Sequence, residues 1–130
     1  MTRPKILIVD DEERFGANLV KILAAHSLRA TAVLGGEDAL AEMAKTPYDV
    51  VLLDMKMPGL SGTATLKRIR EAGHKAKVIV LTGHASVDDA VELINLGAYD
   101  YLLKPCATDK LLKMVSMAFE QLEIEERPLG

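Results

Sequence analysis

Five side chains able to bind a metal or a phosphate follow directly on short apolar runs. Asp10 and Asp11 follow KILIV, Asp54 follows VVLL, Thr82 follows VIVL and Lys104 follows YLL. If these runs are parallel strands, all five groups stand at the carboxyl edge of one sheet, where open α/β sheets bind their ligands. Three carboxylates gathered there repel one another, so the site needs a cation to be stable. Oxygen ligands suit a hard divalent metal, and Mg²⁺ is the commonest such ion beside phosphate.

The elements that must position these groups repeat five times as an apolar run followed by an amphipathic stretch. The first run is Lys5 to Val9, after which Phe15, Leu19, Ile22 and Leu23 recur at helical spacing. Glu12 and Glu13 fall in the first turn, where the helix dipole favours acids. Arg29 to Val33 is short and weakly apolar and suits an edge strand. Gly35 and Gly36 turn into a helix carrying Ala39, Leu40 and Met43. Asp49 to Leu53 is apolar on successive residues, as a strand covered on both faces should be. The loop MKMPGLSG, with Pro58, Gly59 and Gly62, leads to a helix that runs to about Ala72 and stops at Gly73. Val78 to Leu81 is the fourth run. Ser86 then reads as an N-cap, Val87, Ala90, Val91 and Ile94 as the inner stripe, and Gly97 as the stop. Tyr99 to Leu103 is the fifth run, closed by Lys104-Pro105. A last helix starts near Thr108 and carries Leu112, Val115, Phe119 and Leu122. Strands alternating with helices imply a parallel sheet with right-handed crossovers.

The bulk properties narrow the function. A chain of 130 residues, 49% apolar, fits one compact domain with a real core. We place that domain at residues 1–123 and read 124–130 as a fraying helix end or the start of a linker. The formal net charge of −3 gives no footprint for nucleic acid. The single cysteine, Cys106, reads as a packing residue and fits a reducing compartment. The N-terminus lacks a signal-peptide pattern, and no apolar run approaches a membrane span. A cytoplasmic protein without a membrane or nucleic-acid partner is expected. His26 and His74 read as a helix-end and a turn residue. Met55 and Met57 read as core or partner-facing residues beside Asp54.

Taken together, Asp10-Asp11, Asp54 within LLDMKMPGLSG, Thr82 within VLTGHAS and Lys104-Pro105 after AYDYLL resemble the receiver domain of bacterial two-component response regulators. The resemblance covers about residues 5 to 120. The stretch TGHASVDDAVELINLGAYDYLLKP also resembles receivers attached to sigma-54 activators. It implies an α/β fold of the flavodoxin-like, doubly wound (βα)5 kind with strand order 2-1-3-4-5, an order inherited from the class. It also implies that Asp54 accepts a phosphoryl group from a sensor histidine kinase. Asp11 would bind Mg²⁺ directly and Asp10 through water, with Asp54 and the Lys56 carbonyl completing the protein ligands. Lys104 would meet the phosphoryl oxygens as a point charge and Thr82 as a hydroxyl donor. Thr82 and Tyr101 would form a switch acting on the face made by the fourth helix, fifth strand and last helix. A second copy, an output domain or an effector would bind that face. Lys56 and His84 would flank the path of attacking water and set the phosphoryl lifetime. The Lys104-Pro105 bond would be cis. The chain would catalyse only its own phosphorylation and dephosphorylation.

Three other readings fit less well. A haloacid-dehalogenase-like phosphatase needs a second aspartate two residues after its nucleophile, but Asp10 is followed by Asp11 and Glu12. A flavin mononucleotide carrier needs a hydroxyl-rich phosphate loop after strand 1, where DDEERFG is acidic and repulsive. A receiver-like interaction domain independent of phosphorylation would not need all of Asp10, Asp11, Asp54, Thr82 and Lys104.

Overall fold

The computed structural model describes residues 3–83 and 87–127, with Val87 by its backbone only. The proposed Ser86 cap and His84 lie outside the described residues. Five strands, β1 (Lys5–Val9), β2 (Arg29–Val33), β3 (Val50–Asp54), β4 (Lys77–Thr82) and β5 (Asp100–Leu103), alternate with five helices. These are α1 (Glu13–Ala25), α2 (Gly36–Lys45), α3 (Gly62–Glu71), α4 (Val87–Asn95) and α5 (Thr108–Glu126). All strand pairs are parallel, as the alternation implied, and the order is β2-β1-β3-β4-β5, as the resemblance implied.

Side-chain alternation along each strand splits the core into two layers. Leu7, Val9, Val51, Leu53, Val78 and Val80 pack with Ala39 and Met43 of α2, Leu66 and Ile69 of α3 and Leu93 of α4. Ile6, Ile8, Val50, Leu52, Ile79, Leu81 and Leu102 pack with Leu19 and Leu23 of α1 and with Leu111, Val115 and Ala118 of α5. β3 is buried along its whole length, whereas β2 is largely exposed and forms one edge.

Two helix faces differ from the expected ones. Among the described side chains of α4 the buried one is Leu93, with half-buried Ala90 on the helix and half-buried Leu96 just after it, while Val91 and Ile94 are exposed. The α4 sequence carries two overlapping apolar stripes, and only one can meet the sheet. In α5 the buried row is Leu111, Val115, Ala118 and Leu122, with Leu112 and Phe119 half-buried beside it. Ile22 of α1 is likewise exposed. α5 stays helical to Glu126, where Glu125 pairs with Lys77 at 2.6 Å.

Gly73 and Gly97 end α3 and α4 with positive φ, as their positions suggested. Between these two ends lies Arg70. Its guanidinium donates to the carbonyls of Gly97 at 3.1 Å, His74 at 2.8 Å and Ala76, joining the α3 terminus to the turn before β5. Burial lowers the Arg70 pKa, partly opposed by the charge of Glu125. No described helix is long and apolar enough to cross a membrane.

Candidate functional site

Register decides which groups meet at the carboxyl edge. Val9 pairs with Leu53, Asp54 with Leu81 and Leu81 with Leu102, so Asp10 and Asp54 end their strands at one level, with Thr82 one residue and Lys104 two residues beyond it at the same edge. The Lys104 N–H donates to the Thr82 carbonyl at 2.7 Å and extends the ladder by one step. Continuing the alternation, Asp10, Asp54 and Lys104 fall on the α1/α5 side of the sheet and Thr82 on the α4 side.

Asp10 is 1% exposed, and both its oxygens are occupied. Oδ1 accepts the Glu12 N–H at 2.9 Å, and Oδ2 accepts from Lys104 Nζ at 2.7 Å. A buried carboxylate is tolerable only when it is paired and hydrogen-bonded in this way. Lys104 Nζ also lies 3.4 Å from Asp54 Oδ1. The Lys56 N–H donates to the Asp54 carboxylate. Asp11, one residue out of phase with Asp10, is exposed. One oxygen each of Asp10, Asp11 and Asp54 can be chosen so that all lie within 4.8 Å of one another. An all-oxygen donor set this compact fits a hard divalent cation such as Mg²⁺.

The charges act on one another. Burial raises the Asp54 pKa, and the Asp10 charge raises it further. Lys104 and the Lys56 N–H pull the other way without cancelling the rise. Burial alone would depress the Lys104 pKa, but its hydrogen bond and charge interaction with Asp10, reinforced by Asp54, hold it above the usual lysine value. The site therefore presents a carboxylate that holds a proton more readily than usual beside an ammonium that holds its own more tightly than usual.

The loop after Asp54 is folded back tightly. Ser61 caps α3 by accepting the Ala64 N–H at 3.2 Å, and the Gly62 N–H donates to the Met55 carbonyl at 3.1 Å. A Cβ on Gly62 would lie 2.5 Å from the Asp54 carbonyl oxygen and 2.7 Å from Met55 Cα, so only glycine fits there. Met57 is buried in the core, Met55 is half-buried, and the Lys56 side chain is exposed.

Thr82 is buried, and half-buried Tyr101 packs on the same face, paired in register with Val80 two residues before Thr82. The Lys104-Pro105 bond is cis. Two features differ from the sequence reading or were absent from it. The contacts of the Lys104 ammonium with Asp10 and Asp54 formed no part of the sequence reading. Phe15, read as a core residue of α1, places its ring centroid 4.1 Å from Lys104 Nζ. Nothing in its spacing distinguished that role from packing.

The sequence profile of the response regulator receiver domain matches residues 6–116. The chain is 34% identical over 128 residues to the DNA-binding transcriptional regulator NtrC of Salmonella typhimurium, covering 98% of this chain and 27% of that protein. It is 37% identical over 111 residues to the transcriptional regulatory protein PcoR of Escherichia coli, covering 85% and 49%. The chain thus spans between about a quarter and a half of these relatives. Among solved structures, a CheY-like receiver domain from Methanospirillum hungatei JF-1 superposes with a TM-score of 0.89 at 27% identity, over 95% of this chain and 99% of that one. The BeF3-activated DrrB receiver domain gives 0.81 at 29% identity, over 92% and 99%. With this fold, this edge of acids and lysine, and these relatives, the chain belongs to the response regulator receiver family.

Proposed function

We propose that this chain is a phosphorelay receiver in which Asp54 accepts a phosphoryl group from the phosphohistidine of a sensor kinase. The observation that carries this reading is the placement of the Asp54 carboxylate beside the Lys104 ammonium at 3.4 Å, with oxygens of Asp10 and Asp11 grouped around it. An Asp54 oxygen forms the new P–O bond as the donor's P–N bond breaks, and the imidazole leaves with the bonding electrons and takes up a proton. Lys104 lowers the charge that a dianionic donor meets and orients the phosphoryl oxygens. Asp10, Asp11, Asp54 and the Lys56 carbonyl would hold Mg²⁺. The ion would neutralise charge shared by the carboxylate and the phosphoryl group. The chain works as an acceptor, not as an enzyme turning over a separate substrate.

The product adds charge at the sheet edge, and Thr82 is the neutral donor on the α4 side. Thr82 moves toward the phosphoryl oxygens, and Tyr101 turns into the space vacated. The face made by α4, β5 and α5 is thereby remodelled for a second copy or an effector. Exposed Val91, Ile94 and Leu103 leave apolar surface there for such a contact. The likeness to NtrC and PcoR supports an attached transcriptional output domain, of the sigma-54 activator kind if the NtrC likeness extends to it. The cytoplasm is the fitting compartment. Lys56 and His84, two residues after Asp54 and Thr82 in the sequence, carry neither a carboxamide nor a carboxylate to orient an attacking water, so the acyl phosphate lasts. Incubation with phosphoramidate and Mg²⁺ should add one phosphoryl mass to the protein and none to Asp54→Asn. An equal gain in both would overturn the assignment.

A further inference from the structure

We infer that Phe15 is a positioning residue for Lys104, holding the ammonium at the mouth of the acceptor site through the face of its ring. The inference deepens the reading of Asp54 as phosphoryl acceptor and rests on it. The Lys104 ammonium is bounded on three sides. Asp10 lies at 2.7 Å, Asp54 at 3.4 Å and the Phe15 ring centroid at 4.1 Å. Two of its N–H groups have carboxylate acceptors, and the ring face covers a further flank. The Lys104 side chain is 18% exposed, so little water competes for it. A cation within about 6 Å of an aromatic centroid is attracted by the ring's negative face, more strongly as water is withdrawn.

The contact supplies what the carboxylates cannot. A lysine head on a four-carbon stem is mobile, and a point charge neutralises an incoming phosphoryl group only if it is already in place. Asp10 alone would draw the ammonium inward, toward its own buried oxygen and away from the Asp54 edge. The ring attracts the cation without forming a directional bond that must break when phosphoryl oxygens arrive. It can therefore hold the ammonium before transfer and during it. Phe15 belongs to the first turns of α1, and its half-buried ring packs against the α1/α5 core layer, which fixes its orientation. An aliphatic residue would fill the same space without attracting the charge.

The test separates ring electronics from packing. Site-specific replacement of Phe15 by its 4-fluoro, 3,5-difluoro and 3,4,5-trifluoro analogues keeps the shape and withdraws charge stepwise from the ring face. The rate of phosphorylation by acetyl phosphate with Mg²⁺ should fall progressively, by about fivefold across the series, the range open to a partly desolvated cation–π contact. The urea midpoints should not move. Phe15→Leu should show a similar loss and Phe15→Tyr almost none. In the unphosphorylated wild type, the Lys104 Hε resonances should be shifted upfield by the ring current and return to ordinary positions in Phe15→Leu. Ordinary Hε shifts in the wild type, or equal rates along the fluorinated series, would overturn the inference. An upfield shift in a wild type that takes up no phosphoryl group would remove the acceptor reading and reduce the contact to a structural one.

Discussion

Replacing Lys104 with methionine deletes the ammonium and keeps most of the stem, so it isolates the charge at the centre of the site. At 2.7 Å from Asp10 and 3.4 Å from Asp54, an effective dielectric of about 20 gives attractions of roughly 6 and 5 kcal/mol. Desolvation of the three groups offsets most of that. What remains in Lys104→Met is a carboxylate at 1% exposure without its cation, a loss that costs about 3–5 kcal/mol in fully buried pairs. Asp10 keeps its bond from the Glu12 N–H, and Asp54 can take up a proton. A loss of about 3 kcal/mol in metal-free buffer at pH 7 is therefore expected, at the lower end of that range. The sign with pH follows from the carboxylates. Without the ammonium the Asp54 pKa, already raised in the folded state, rises further, so the variant loses stability as pH climbs from the ordinary carboxylate range. Its deficit should shrink on acidification toward pH 4, and added Mg²⁺ should restore part of it at pH 7. Urea unfolding with chelator across that range, then with Mg²⁺, reads all three effects. A variant as stable as the wild type at pH 7 without metal would refute this charge balance.

The same balance predicts the opposite for Asp54→Asn. Because the Asp54 pKa is raised in the folded state, its charge costs stability above the unfolded-state value, so the asparagine variant should unfold at higher urea at pH 7 without metal and lose that advantage below about pH 4. Gly62→Ala drives a Cβ to 2.5 Å from the Asp54 carbonyl oxygen. It should cost about 2–3 kcal/mol in urea unfolding and slow phosphorylation by displacing the acceptor. Arg70→Met frees three carbonyls that now accept from one guanidinium. Its expected cost is about 2–4 kcal/mol, with Arg70→Lys intermediate because an ammonium cannot span the three acceptors.

Four strand ends could be read from the sequence because those apolar runs stop at polar residues, and four stops of complementary chemistry leave few arrangements. Strand order came with the fold class. The resemblance gave the acidic pair different roles toward the metal, but which of the two is buried could not be read. Asp10 and Asp11 are chemically equal until β1 fixes which of them continues its inward alternation. The chain then buries Asp10 against Lys104 and leaves Asp11 to water. The α4 face was misassigned for a related reason. Val91 and Ile94 lie on a stripe as apolar as that of Leu93, and only the line along which the helix meets the sheet decides between them. Phe15 carries a helical spacing that any core residue would share, and its contact with Lys104 joins α1 to the end of β5, far apart in the chain.

Acceptance of a phosphoryl group by Asp54 is tested most directly by trapping the acyl phosphate. Phosphorylated protein is reduced with borohydride, which converts a phosphorylated aspartate to homoserine, and its peptides are sequenced by mass spectrometry. Homoserine at position 54 and nowhere else, dependent on Mg²⁺, is the expected result. Homoserine at Asp10 or Asp11, or none in protein that carries the phosphoryl mass, would contradict it.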